Sequence, residues 1–172
     1  WIINTHNGIK GKLPRINVNE YPAIKAHLDQ YWDKISKRAD KGETPYNLRN
    51  CAYMEDFFKP KICWKAVGRN LAFSIVESGT FLTAPASFIS AGTYNEYILA
   101  FLCSNVGTYF IYKNSDTTGA GDIMLNIQSL IKFPIPLNQT INISESIDVV
   151  SQSIYQIYGF TSDEISYIES SI

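Results

Sequence analysis

Apolar residues recur at three- and four-residue steps in three stretches of this chain. Ile24, Leu28, Tyr31, Trp32, Ile35 and Ala39 make one stripe, which predicts a helix over residues 21 to 41. Pro22 falls in its first turn, where a missing N–H does no harm. Tyr97, Ile98, Phe101, Leu102, Val106, Tyr109 and Phe110 predict a second helix over residues 95 to 114, apolar enough to be the central core helix. In the third stretch Ile147, Val150, Ile154 and Ile157 share one face of a helix that Ser144 caps and Gly159 stops. A short helix follows from Ser162 or Asp163, with Thr161 or Ser162 as its cap and Ile165 and Ile168 turned inward.

Between these stretches the pattern is that of short strands and turns. Ile2-Ile3 and Ile9 predict short strands punctuated by Gly8, Gly11 and Pro14. Residues 42 to 45 read as a loop, 46 to 53 as extended or irregular backbone, and 54 to 58 as a helical turn. A strand over residues 61 to 67 should bury Ile62, Trp64 and Val67 and leave Lys61 and Lys65 at its ends or on an open face. Gly68-Arg69-Asn70 reads as a turn. A strand over 71 to 76 is expected to pair with 80 to 82 across Glu77-Ser78-Gly79, whose glycine supplies a positive φ, and residues 87 to 90 give a further strand. One helical turn over 126 to 132 precedes Phe133-Pro134-Ile135-Pro136, whose alternating prolines suit an edge strand. The expected class is α+β: a mixed or antiparallel twisted sheet with a packed core helix and a C-terminal helical hairpin. The chain divides into residues 1–42 (strand, turn and basic amphipathic helix), 43–137 (core) and 138–172 (helical tail).

Composition narrows the class. With 172 residues, 45% of them hydrophobic, the chain can bury an ordinary core. It has neither a long apolar run nor a signal-like start, so a membrane partner is not expected. The chain starts at Trp1 without a methionine, on residues that already read as strand and turn, so it is expected to be a fragment of a longer polypeptide. Cys51, Cys63 and Cys103 are too dispersed for a zinc site and read as reduced thiols of a cytoplasmic protein, which makes chance matches of the glycosylation sequons at Asn138 and Asn142. Charge is segregated: residues 1 to 70 hold 13 Lys+Arg and 7 Asp+Glu, against 2 and 9 in residues 71 to 172. A basic half suits either a polyanion or an internal dipole. The basic edge His27, Lys34, Lys37, Arg38 and Lys41 likewise reads either as a solvated face or as a phosphate-tracking one.

Reactive constellations are missing from the sequence. It has no G-x-S-x-G, no H-E-x-x-H and no Asp-x-Lys or Glu-x-Lys step of a metal-dependent nuclease, and it has only two histidines. The glycine-rich Thr117-Thr118-Gly119-Ala120-Gly121-Asp122 lacks the pattern of a phosphate cradle. The expectation is that this piece catalyses nothing by itself, with no metal and no cofactor of its own.

Residues 46 to 64 carry a signature. The order Leu48-Arg49, Cys51, Tyr53, Phe57, Pro60-Lys61-Ile62 resembles the TaqI-like C-terminal specificity domain of type IIG bifunctional restriction-modification enzymes and adenine-specific DNA methyltransferases. The similarity continues on both sides, from Arg15-Ile16-Asn17, Tyr21-Pro22 and Lys37-Arg38 to Gly79 and Phe81, Leu102-Cys103-Ser104-Asn105, Pro134-Ile135-Pro136 and Ile154-Tyr155-Gln156-Ile157-Tyr158-Gly159-Phe160. One departure is the loop Gly119-Ala120-Gly121-Asp122-Ile123, where the family often carries an aromatic or basic residue.

The resemblance implies a target recognition domain, a DNA reader attached to an N-terminal methyltransferase that uses S-adenosylmethionine in the parent enzyme. Its partners would be double-stranded DNA and that neighbouring domain, with or without a nuclease. Such a reader needs cations on phosphates and polar side chains on loops that enter a groove. Lys34, Lys37 and Lys41 are candidates for following a backbone. Lys65, Arg69 and Asn70 sit in the turn after the signature strand, and Thr83, Lys113, Asn114, Thr117 and Thr118 lie in loops that could share its end of the sheet. Arg69 is the first candidate for a base, since arginine reads guanine bidentately, with a phosphate as its alternative. A different class fits the same charge pattern without DNA: an interaction or scaffolding module whose basic edge docks on an acidic neighbour.

Overall fold

A computed structural model describes residues 2–137 and 139–172; Trp1 and the sequon at Asn138 lie outside the described residues. Contacts group the chain into two compact units, residues 1–55 and 56–172, and the chain passes from one to the other within a 3-10 turn at Met54–Phe58.

The first unit has little regular structure and a polar centre. Where the periodicity predicts one helix over residues 21 to 41, two short ones form, α1 (Pro22–Asp29) and α2 (Trp32–Ile35), neither with a buried residue. Ile24, Leu28 and Ile35 are half-buried, while Tyr31, Trp32 and Ala39 are exposed. An amphipathic stripe holds a long helix only when a core accepts it. Here the buried centre is Asn47, 1% exposed. Its amide donates to the Ile16 carbonyl at 2.9 Å, and its Oδ1 accepts from Thr44 Oγ1 at 2.6 Å. Its own carbonyl accepts from the Gly42 N–H at 2.9 Å and from the Arg38 guanidinium. Gly42 is thereby held in the centre of this unit.

The second unit is built on β1 (Lys61–Lys65), β2 (Val67–Gly68), β3 (Phe73–Val76), β4 (Ala86–Ile89), α3 (Asn95–Cys103), α4 (Asn105–Asn114), β5 (Asp116–Thr117), β6 (Ile123–Met124), α5 (Ile127–Leu130), α6 (Ile147–Tyr158) and α7 (Ser162–Glu169). Two three-stranded antiparallel sheets form, in the orders β3-β1-β4 and β2-β6-β5. The protein is α+β with helices at its C-terminal end. β1 alternates as its sequence demands, placing Ile62 (0% exposed) and Trp64 (3%) in a core with Phe101, Leu102, Ile111, Leu125 and Ile154. α3 packs on β3 and β1, and α4 contacts both α6 and α7. The buried indole is also satisfied, with Trp64 Nε1 donating to the Leu125 carbonyl at 3.1 Å.

Four expectations are corrected. The helix over 95 to 114 is interrupted at Ser104, whose backbone is extended (ψ 164°) and whose Oγ accepts from the Gly107 N–H at 3.1 Å, capping a new helix. Residues 80 to 82 do not pair with β3, which pairs instead with β1 in the register Cys63↔Ser74; Phe81 stacks on Phe57 at 4.7 Å. Gly79 does carry its positive φ, 83°. The Phe133-Pro134-Ile135-Pro136 stretch forms no strand, because the Pro134 and Pro136 carbonyls accept from the Tyr158 and Tyr97 hydroxyls. α6 starts at Ile147 with Ser146 at its N-cap, not at Ser144, and stops at Gly159 in the left-handed region (φ 70°). Thr161 and Glu164 close a reciprocal capping box on α7.

Candidate nucleic-acid interface

The signature proves structural where it is most basic. Lys61 is not at an open strand end but fully buried, a correction to its expected exposure. Its ammonium donates to the carbonyls of Phe57 (3.0 Å), Thr80 (3.2 Å) and Glu77 (3.3 Å), three acceptors for three N–H bonds. Burial pushes its pKa below the usual lysine value, whereas the three carbonyls favour the charged form. Lys61 thus ties the 3-10 turn before β1 to the turn after β3. Lys59, the neighbouring cation, pairs with Asp56 at 2.7 Å.

Beyond β1 the chain presents exposed polar groups around the second sheet. β2 and β5 run parallel to each other on either side of β6, with Gly68 and Thr117 both opposite Ile123. Arg69 and Thr118, the next residues of each strand, therefore leave the sheet at the same end. Arg69 is exposed, with Nε 3.5 Å from the Asp122 carboxylate, and an exposed pair of this kind constrains the arginine only weakly. Thr118 is half-buried and holds the hairpin, its Oγ1 accepting from the Asp122 N–H at 3.0 Å. Lys65 is exposed and its side chain reaches along β2, Nζ standing 4.0 Å from where a Cβ on Gly68 would lie. Asn70 and Thr117 are exposed as well. The Thr83 loop is fastened alongside by the Ala66 N–H donating to the Pro85 carbonyl at 2.8 Å, so that Thr83 and Lys65 line one cleft of about 460 Å³.

Lys113 and Asn114 fall at the other end of this sheet from Arg69 and Thr118, since they precede β5. Lys113 is exposed and lies over the Tyr109 ring, 5.5 Å from its centroid, and the Asn114 amide donates to the Phe110 carbonyl at 2.8 Å. Of the eight candidates in this unit, Arg69, Asn70, Thr117 and Thr118 fall at one end of the second sheet and Lys113 and Asn114 at the other; Lys65 enters β2 from that other end and reaches along it towards Gly68, and Thr83 shares a cleft with Lys65 alone among the candidates.

In the first unit Lys34 and Lys37 are exposed, and Lys41 Nζ donates to the Ser36 carbonyl at 2.9 Å. Arg38 is turned inward to Asn47, with its Nε buried and unpartnered. Sequence reasoning missed the larger feature here, a cleft of about 920 Å³ lined by Lys10, Lys12, Arg15, Asn50 and Cys51. Lys12 pairs with Glu55 at 2.6 Å and Arg15 with Glu43 at 3.0 Å. The signal for it in the sequence is the spacing of Lys10, Lys12 and Arg15 around Gly11.

Among the described residues no group of His, Cys, Asp or Glu is arranged to hold a metal, and no helix is long and apolar enough to cross a membrane. The three cysteines are free and half-buried, and burial pushes the Cys103 thiol above its ordinary value. No protein-family model and no curated protein matches the chain.

Proposed function

We propose that this chain is a DNA sequence-recognition domain that positions duplex DNA for an adenine-specific methyltransferase on its N-terminal side. The methyl transfer, with S-adenosylmethionine, belongs to that neighbour. The observation that carries the reading is the group of exposed Arg69, Asn70 and Thr117 at one end of the second sheet, with the exposed Lys65 reaching along β2 towards them. Cations there give register on phosphates, while the arginine and the amide have the donor patterns that read guanine and adenine edges. The rigid core behind β1 and β6 holds them in place, as a loop-borne recognition surface requires.

The test is a fluorescence-anisotropy titration of this chain on a randomised duplex pool, followed by sequencing of the bound fraction. Binding is expected to enrich a short motif, and Arg69→Ala to lose about 1 to 3 kcal/mol at one position of it if the contact is bidentate. Arg69→Ala with unchanged affinity and unchanged motif would remove Arg69 from the interface, and no binding by the chain would remove the reading.

A second reading, a module whose basic edge docks on an acidic neighbour, is favoured by one observation: Lys34 and Lys37 are both exposed on that edge. Under it, Lys37→Glu weakens salt-sensitive association with the neighbouring domain and leaves DNA choice untouched.

A further inference from the structure

On the second unit lies an apolar groove of about 550 Å³, independent of the DNA reading above. Tyr109 and Phe110 of α4 and Tyr167 of α7 line it, together with Phe133, Tyr158 and Phe160. The rings are locked in pairs. Phe110 stacks on Phe133 at 4.7 Å, Tyr158 on Phe160 at 5.4 Å, and Tyr109 meets Tyr167 edge to face at 6.0 Å. The Tyr158 hydroxyl donates to the Pro134 carbonyl at 2.6 Å and burial pushes its pKa to about 12, so this polar tip stays neutral and satisfied. The groove is therefore preformed, hydrocarbon-walled and within the size range of a specific binding site. Tyr167, 58% exposed, leaves part of this aromatic surface in water.

Its border is acidic. Asp163 and Glu164, in the first turn of α7, lie on the lining. Glu164 is committed to its capping box, whereas Asp163 makes no hydrogen bond or ion pair among the described residues. From residue 133 to 172 the chain has Glu145, Asp148, Asp163, Glu164 and Glu169 and no lysine or arginine, and the exposed Lys132 immediately precedes the lining residue Phe133. One cation is already seated on this aromatic wall, the Lys113 ammonium over Tyr109.

We propose that this groove is the docking site for a basic amphipathic segment of a partner polypeptide. Apolar side chains one helical turn apart fill the space between α4 and α7, and flanking Lys or Arg face Asp163. The acidic border disfavours a nucleic-acid backbone or an anionic bilayer at this face.

The probes are two synthetic helical peptides with one shared Leu/Phe stripe, one flanked by lysines and the other by glutamates, titrated calorimetrically into the full chain. The lysine peptide is expected to bind at least ten-fold more tightly. Tyr167→Ala, at a site already largely in water, should weaken it at least ten-fold. Asp163→Asn should narrow the gap between the peptides by weakening the lysine peptide alone. No binding of either peptide at millimolar concentration would overturn the proposal, as would equal or tighter binding of the glutamate peptide, or binding insensitive to both substitutions. Displacement of the lysine peptide by anionic vesicles or duplex DNA that themselves contact Tyr167 would overturn it in favour of those surfaces.

Discussion

Two buried polar side chains, Lys61 and Asn47, hold loops of this protein in place, and both act by satisfying carbonyls. Lys61 takes up three and Asn47 reaches the Ile16 carbonyl across the first unit. Lys61→Met keeps the aliphatic stem and leaves the Phe57, Glu77 and Thr80 carbonyls without their donor. Stability is expected to fall by about 1 to 3 kcal/mol in a urea titration followed by tryptophan fluorescence, Trp64 standing on the same strand. An unchanged midpoint would mean that other donors replace the ammonium. Asp29 gives a pH dependence. Hydrogen bonds from Lys25 Nζ (2.7 Å) and the Tyr46 hydroxyl (2.6 Å) hold its carboxyl below the ordinary value of 3.8. The unfolded chain binds that proton first as pH falls, so the stabilisation is whole above the unfolded value and disappears as pH drops through the lowered folded one. Asp29→Asn should flatten the loss of thermal stability below about pH 4, the carboxylate range. An acid limb identical to that of the unsubstituted protein would assign that loss to other groups.

At the scale of elements, the junction of α3 and α4 decides how the helical layer meets the sheet. A Cβ on Gly107 would stand inside the van der Waals envelope of the Phe101 carbonyl oxygen, so the two helices close only over a glycine. Gly107→Ala is expected to cost about 1 to 3 kcal/mol through overpacking. Ser104→Ala removes the cap on α4 and should cost about 0.5 to 2 kcal/mol. Thermal unfolding of the two variants checks both, and Gly107→Ala without penalty would mean that the junction yields. The break was legible afterwards but not beforehand. The apolar period runs through Ser104 without a phase change strong enough to mark it, and serine is an unremarkable residue in a helix until its neighbour turns. The capping box on α7 is the opposite case. Thr161 and Glu164 are three residues apart and act locally, so sequence alone placed the cap at Thr161 or Ser162.

For the whole molecule, charge and exposed polar groups set what can bind. Binding of DNA by the reading proposed here falls with salt in proportion to the phosphates neutralised. Lys65→Gln should weaken binding nearly equally across sequences and reduce the slope of log K against log salt by about one, the signature of a phosphate contact. A change in preferred sequence with an unchanged slope would move Lys65 from the backbone to the bases. Lys41 and Asn114, whose polar ends already have partners, should contribute less than Asn70 and Lys65 in the same titration.

Sequence by itself determined the α+β class, β1 with Ile62 and Trp64 turned inward, the C-terminal helices with their stop at Gly159, and the dispersal of the cysteines. Each follows from periodicity or capping that acts over a few residues. Tertiary structure alone decided that Lys61 is buried while Lys65 is exposed, that the stripe in α1 and α2 lacks a core to cover it, and that Arg69 and Thr118 leave their sheet at the same end. It also assembled the apolar groove from residues up to 62 positions apart, Val106 and Ile168. Whether a cation meets water or three carbonyls depends on which loops return to it, and no local pattern of hydrophobic and polar residues encodes that return.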